Sequence, residues 1–145
     1  MRWGKQRSEN SSLYPGGFEH TVILSGRSYR KPRNGQNVSI DPNERKAIPA
    51  IVLFRRGNLE SNVQSNLRIR PFSTQVVGDN PLEVKIRINP FKASFTGFFK
   101  HPISGEKTKF EGAFQSSILL NPGEGRGSFP GVDESGSVRI SVKIN

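Results

Sequence analysis

The stretch from Leu82 to Gln115 constrains the fold most, because apolar residues recur at every second position along much of it. In its first segment the apolar positions are Leu82, Val84, Ile86 and Ile88, and charged residues separate them. A period of two is typical of a strand that buries one face of a sheet and exposes the other. The stretch therefore predicts three antiparallel strands in a row.

The first turn of this meander is predicted at residues 89–92, Asn-Pro-Phe-Lys. A four-residue turn there places Ile88 opposite Ala93 and Ile86 opposite Phe95. Each inward-facing residue then has an apolar or glycine partner, which supports this register.

The second turn is predicted at Ser104–Gly105, which pairs Phe99 with Phe110 and Gly97 with Gly112. Glycine inside a strand weakens it and often marks a bend, where neighbouring rings cover the bare backbone. The pattern predicts a curled sheet with a phenylalanine-rich interior. The glycines assigned to strands and turns are Gly97, Gly105, Gly112, Gly125 and Gly127.

Shorter segments with strand character lie on both sides of this meander. A low apolar content of 32%, with 15 glycines and 10 prolines, favours sheet and turns over a helical bundle. Further strands are predicted at 18–24, 50–54, 67–70, 116–120, 127–129 and 137–144, with a turn at 121–125. The continuous apolar run at 50–54 indicates burial on both faces, whereas Leu67 and Ile69 alternate with outward-facing arginines. We predict a mainly β fold, an antiparallel meander of about eight strands that forms a curled sheet or a small barrel.

The length of 145 residues suits one domain with its own core. Residues 1–17 are basic, rich in polar residues and contain Pro-Gly-Gly, so they are predicted to be a flexible lead-in. Residues 18–145 are predicted to form a single β domain. No apolar run is long enough to span a bilayer, and the first residues lack the apolar segment of a secretory signal.

The formal net charge of +10 points to an anionic partner: nucleic acid, acidic polysaccharide or acidic lipid headgroups. The basic loop at 27–35 carries an aromatic residue, Tyr29, which can stack on a ligand. If the register above holds, Lys100 lies directly opposite Lys109, a repulsion that an anion would relieve. The residues predicted to face outward are Phe98, Arg68, Arg70, Lys85, Arg87, Lys100, Lys109, Arg139 and Lys143. The candidate anion-binding residues are Arg27, Tyr29, Arg30, Lys31, Arg33, Arg68, Arg70, Lys85, Arg87, Phe98, Lys100 and Lys109.

Catalytic chemistry has little support in this sequence. The absence of cysteine excludes disulfides, thiolate zinc sites and cysteine nucleophiles. His101 precedes Pro102 at the mouth of the second hairpin, where its ring is expected to hydrogen-bond the turn. We predict no catalytic residue, no metal site and no cofactor.

Two stretches carry a resemblance to a known family. GFFKHPISGEKTKFEG (97–112) followed by GRGSFPGVDESGSV (125–138) resembles the pattern FxGxFxHPxTGKxTxFxG, GxGxFxG and SGSV of a β-rich module. This module occurs in large secreted repeat proteins of verrucomicrobial bacteria. Residues 26–36 and 57–59 (GNL) are similar to the family's GxxYxPPxxGQ and GGNL segments, so the likeness spans most of residues 22–140.

The resemblance implies a noncatalytic structural or adhesive module of a secreted or cell-surface protein. Its partners would be neighbouring domains of a longer chain or an acidic surface polysaccharide. A complete chain of this length without a signal would instead be cytoplasmic. The alternative function is a small basic β-barrel that binds single-stranded nucleic acid through its cations, Tyr29 and Phe98.

Overall fold

The computed structural model describes residues 2–21, 47–70, 73–115 and 124–143. Within these ranges the chain forms ten strands and no helix. The strands are β1 (Arg2–Lys5), β2 (Phe18–Thr21), β3 (Ile48–Arg56), β4 (Val63–Ile69), β5 (Thr74–Val77), β6 (Lys85–Asn89), β7 (Ser94–Lys100), β8 (Lys107–Gln115), β9 (Glu124–Pro130) and β10 (Ser135–Val142).

Strands β3 to β10 form one antiparallel sheet of eight strands, in the order β5-β4-β3-β10-β9-β8-β7-β6, and β1 pairs separately with β2. The connection from β5 to β6 has to pass from one edge of the large sheet to the other. Its residues, 78–84, can span at most about 25 Å when extended, so the two edges must lie close together. Cα atoms of β5 and β6 do approach within 8 Å. The sheet is therefore nearly closed into a barrel, which confirms the predicted fold class.

Phenylalanine rings fill the interior of this barrel. Phe54 lies at the centre, with ring centroids 4.6 Å from Phe99, 5.2 Å from Phe110 and 6.0 Å from Phe129. All four side chains are fully buried. A barrel of eight strands has an interior just wide enough for side chains to fill. The inward-facing apolar residues of the alternating strands therefore form a core that is filled by side chains.

The first hairpin of the meander has a different register from the predicted one. Ile88 lies opposite Phe95 and Ile86 opposite Gly97. The four-residue turn covers 90–93 rather than 89–92, and Ala93 adopts a positive φ of 50° within it. The predicted partners were wrong, although the faces were right, because a shift of two residues leaves every side chain on its original face.

The second hairpin differs in the same way. Gly97 lies opposite Phe110 and Gly112 opposite Phe95, so the predicted pairing of the two glycines was wrong. The reason is that the turn covers 101–106 and is centred one residue before the predicted position; it is closed by the bond from the His101 N–H to the Glu106 carbonyl, 2.8 Å. In this register each ring lies over a glycine of the neighbouring strand. An aromatic ring that covers the bare backbone at a strand glycine stabilises the sheet there.

Other predicted strands are partly confirmed. Leu67 and Ile69 in β4 are buried as predicted, whereas Ile51 and Leu53 in β3 are half-buried, so β3 is not buried on both faces. Strand β9 begins at Glu124, inside the predicted turn at 121–125. The structure also contains two strands that were not predicted, β1 within the proposed lead-in and β5. Residues 22–24 and 116–120 lie outside the described residues.

Candidate anion-binding site

The cations predicted to face outward do so wherever the structure describes them. Those with exposed side chains are Arg68, Arg70, Lys85, Arg87, Lys100, Lys109, Arg139 and Lys143. The cations and the aromatic residue of the basic loop, Arg27, Tyr29, Arg30, Lys31 and Arg33, lie outside the described residues. These cations lie on several strands of the curled sheet. Arg68 and Arg70 lie at β4, Arg139 and Lys143 lie at β10, and the other four lie on β6, β7 and β8.

Several of these cations already have partners. Lys109 forms an ion pair with Glu111 at 2.8 Å, and the Lys143 ammonium donates to the Asn66 side-chain oxygen at 2.9 Å. Arg139 forms an ion pair with Glu124. Lys85, Arg87 and Lys100 form no ion pair within the described part of the chain. Lys107 at the start of β8 also forms no ion pair within the described residues, so the unneutralised charge on this side of the barrel is on β6, at the end of β7 and at the start of β8.

A groove of about 300 Å³ lies among these cations. We call it the lysine groove, and its lining includes Glu83, Lys85, Phe98, Lys100 and Lys107. Cross-strand pairing explains how these residues meet, because Lys85 lies opposite Phe98 and Lys100 lies opposite Lys107. The predicted pairing of Lys100 with Lys109 was wrong, since Lys109 lies opposite Phe98. The like-charge pair is present, but with Lys107 as its second member.

Phe98 faces outward as predicted, with 39% of its surface exposed. Its neighbours include Lys107, whose ammonium lies 4.5 Å from the ring centroid. A cation over an aromatic face at this distance is held by the ring quadrupole. Lys107 was not among the predicted site residues, because the predicted turn did not bring it opposite Lys100.

One end of the barrel joins turns that are distant in sequence, and we call it the loop end. It is formed by the β3–β4 turn at 57–58, the β7–β8 turn at 101–106 and the β9–β10 turn at 131–134. His101, which is 1% exposed, connects the first two of these turns. Its Nε2 donates to the Gly57 carbonyl at 2.8 Å, and its Nδ1 accepts from the backbone N–H groups of Ile103 and Ser104 at 3.3 and 3.4 Å. The predicted hydrogen bonding of this ring to its turn is confirmed.

Asn58 connects the first and third turns of the loop end. Its side-chain oxygen accepts from the backbone N–H groups of Val132 at 2.8 Å and Asp133 at 3.1 Å, and its side-chain nitrogen donates to the Asp133 carboxylate at 2.6 Å. Asn58 also has a φ of 64°, a conformation that asparagine tolerates better than most residues. Position 58 therefore favours asparagine both for its tolerance of a positive φ and for its side-chain amide.

Replacing Asn58 with alanine is expected to lower the free energy of unfolding by about 2 kcal/mol, because two backbone donors lose their acceptor and the positive φ becomes unfavourable. Asn58→Gly loses the same hydrogen bonds but tolerates the φ, so it is expected to cost about 1 kcal/mol less. Urea denaturation of the three proteins checks this order. Equal stabilities for Asn58→Ala and Asn58→Gly would show that the backbone conformation carries no cost.

Several residues of the motifs that carry the family resemblance lie at the loop end. GNL provides the β3–β4 turn, the histidine of HP is His101, and Phe129 packs its ring on Phe99 with centroids 5.0 Å apart. Tyr14 reaches the same end, where its hydroxyl accepts from the Ser135 N–H at 2.9 Å. These motif residues therefore hold the turns of the loop end together.

Two further observations concern the described residues only. They contain no group of three or more histidine, aspartate or glutamate side chains placed to hold a metal ion. They also contain no helix of the length and apolarity needed to cross a membrane.

Comparisons with protein-family models, with curated proteins and with solved structures found no match to this chain.

Proposed function

We propose that this chain is a noncatalytic β module of a secreted or cell-surface bacterial protein, which acts in architecture or adhesion and contacts an acidic polysaccharide through its cationic exterior. The observation that carries the proposal is the lysine groove on a barrel whose interior is filled by side chains. A filled core offers the described part of the barrel no internal ligand chamber, so binding chemistry belongs to the exterior. Three ammonium groups border the groove and one carboxylate, Glu83, opposes them.

The module role is supported by the use of the motif residues. His101 and Asn58 carry groups that can take part in catalysis or ligand binding, but both form hydrogen bonds that hold turns together. A rigid barrel with such a fixed end suits a unit repeated or joined within a longer chain. The resemblance to modules of large secreted proteins agrees with this role.

The first test is binding of a labelled acidic polysaccharide and of labelled single-stranded DNA over a salt series from about 50 to 300 mM, since binding driven by ion release weakens steeply with salt. We expect the polysaccharide to bind more tightly than the DNA, with an affinity that falls as salt rises. A neutral glucan of the same length serves as the control and is expected not to bind.

A preference for single-stranded DNA would favour the alternative function, a nucleic-acid-binding barrel. In that case the loss of affinity in an Arg68→Ala/Arg87→Ala variant would locate the binding surface around β4 and β6. Failure to bind any polyanion at the lowest salt would overturn the proposed polysaccharide contact.

A further inference from the structure

We infer that the lysine groove is a discrete site for one sulfate or carboxylate group of the polysaccharide, in which Lys107 is a binding residue and Phe98 positions it. This inference rests on the proposed function and assigns it to one place on the barrel. It adds Lys107 to the candidate binding residues, and it no longer assigns Phe98 to stacking on the ligand.

The first step is the charge arrangement of the groove. Lys100 and Lys107 are cross-strand partners and both are exposed, so their ammonium groups lie on the same outer face. Like charges in direct cross-strand positions repel and destabilise the sheet. An anionic group between the two ammoniums removes the repulsion. The nearest strand on the other side adds Lys85 to the same groove.

The second step is the contact between Lys107 and Phe98. With its ammonium 4.5 Å from the ring centroid, Lys107 occupies a face of the ring that a nucleic-acid base would need for stacking. The ring instead restricts the long lysine side chain and lowers the entropy lost when Lys107 binds an anion. Phe98 therefore acts through Lys107, which makes it a positioning residue.

The third step concerns the ligand. The binding groups are ammoniums, which are compact point charges with three rotatable donors and bind an anionic oxygen without needing a planar, bidentate geometry. A groove of about 300 Å³ that holds three ammoniums and one carboxylate fits a single charged substituent on a sugar unit. Sulfate esters and uronate carboxylates share this chemistry, and the two are distinguished by testing dextran sulfate and polygalacturonate separately.

The test compares Lys107→Ala and Lys100→Ala with Lys143→Ala, an exposed lysine at the end of β10 that contacts Asn66. We expect each groove variant to weaken binding of the better of the two polysaccharides by about fivefold at low salt, since each removes one charge-assisted contact. Lys143→Ala is expected to change it by less than about twofold, which is the effect of a distant surface charge. Thermal unfolding of the variants confirms that each remains folded.

A second pair of variants tests the positioning role. Phe98→Leu keeps an apolar side chain but removes the ring, and it is expected to weaken binding by about threefold through Lys107. Phe98→Tyr keeps the ring and is expected to bind like the parent protein. In a Lys107→Ala background Phe98→Leu is expected to have no further effect, whereas a ring that touched the ligand directly would still contribute.

The outcomes separate this inference from the proposed function. Polysaccharide binding that falls equally in all three lysine variants, or that depends on Arg68 and Arg87 instead, would overturn the groove assignment and leave the proposed function standing. Absence of binding to either polysaccharide would overturn both. Tighter binding of oligothymidylate, weakened by Phe98→Leu in the absence of Lys107, would also overturn both and would show that the ring stacks on bases.

Discussion

Replacing Gly127 with alanine is expected to destabilise the barrel by about 3 kcal/mol or more, because overpacking against backbone cannot be relieved by a rotamer change. Gly127 in β9 lies opposite Gly112 in β8. A methyl carbon on Gly127 would overlap the carbonyl oxygen of Glu111 and would lie 2.8 Å from the Gly112 Cα. The two strands would have to separate, which disturbs the ladder at the middle of the sheet.

Urea denaturation, followed by far-ultraviolet circular dichroism, measures this loss. Gly16→Ala is the matched control, because a methyl group there meets nothing within 4 Å and no loss is expected. Gly105→Ala is intermediate: the space is open, but the φ of 70° is expected to cost about 1 kcal/mol. If Gly127→Ala were as stable as Gly16→Ala, the close approach of β8 and β9 would be refuted.

Replacing His101 with alanine is expected to lower the free energy of unfolding by about 4 kcal/mol. The change leaves a cavity beside Phe99 and Phe129, whose ring centroids lie 5.9 and 6.4 Å from the imidazole. It also leaves the buried Gly57 carbonyl without its donor. Because this bond joins two turns 44 residues apart in sequence, the loop end is expected to loosen first.

His101→Phe separates the contribution of ring packing from that of the hydrogen bond to the Gly57 carbonyl. It retains most of the ring packing but no donor for Gly57, so it is expected to cost about 2 kcal/mol. Ile103→Ala is the control in the same turn, since that side chain is 52% exposed and its loss should have little effect. Chemical denaturation with hydrogen exchange of the 57–59 and 131–134 amides provides the measurement. A His101→Phe variant as stable as the parent would show that the bond to Gly57 contributes nothing.

The alternation of apolar residues was enough to predict the β class and several residues of the core. Phe95, Phe99 and Phe110 were predicted to face inward and are buried, since a period of two separates the faces of a strand without reference to any other part of the chain. The same reasoning predicted the outward positions of Lys85, Phe98 and other exposed residues. These are local properties, and local sequence determines them.

Strand register could not be predicted in this way. A shift of two residues keeps every side chain on its face, so the pattern of Phe95, Phe99 and Phe110 fits both the predicted and the observed pairing of β7 with β8. The turn decides between them, and the turn at 101–106 is held by His101, which is itself fixed by Gly57. Register therefore depends on a contact that is remote in sequence.

The error in register had a direct effect on the candidate site. The predicted register paired Lys100 with Lys109, which the structure places in an ion pair with Glu111. The observed register brings Lys107 into the groove instead. Exposed lysines fit the alternation equally well in either register. Only the structure could therefore show that Lys109 forms an ion pair with Glu111 and that Lys107 lies opposite Lys100. The motif residues of the loop end, in contrast, could be recognised in the sequence but their mutual contacts could not.

The most direct test of the proposed site is a titration of the isotopically labelled protein with short dextran sulfate or polygalacturonate chains, followed by backbone amide chemical shifts. We expect the largest changes at Lys85, Phe98, Lys100 and Lys107, and little change along β3 and β10. Changes centred on another part of the barrel, or spread evenly over all exposed cations, would contradict a discrete anion site in the lysine groove.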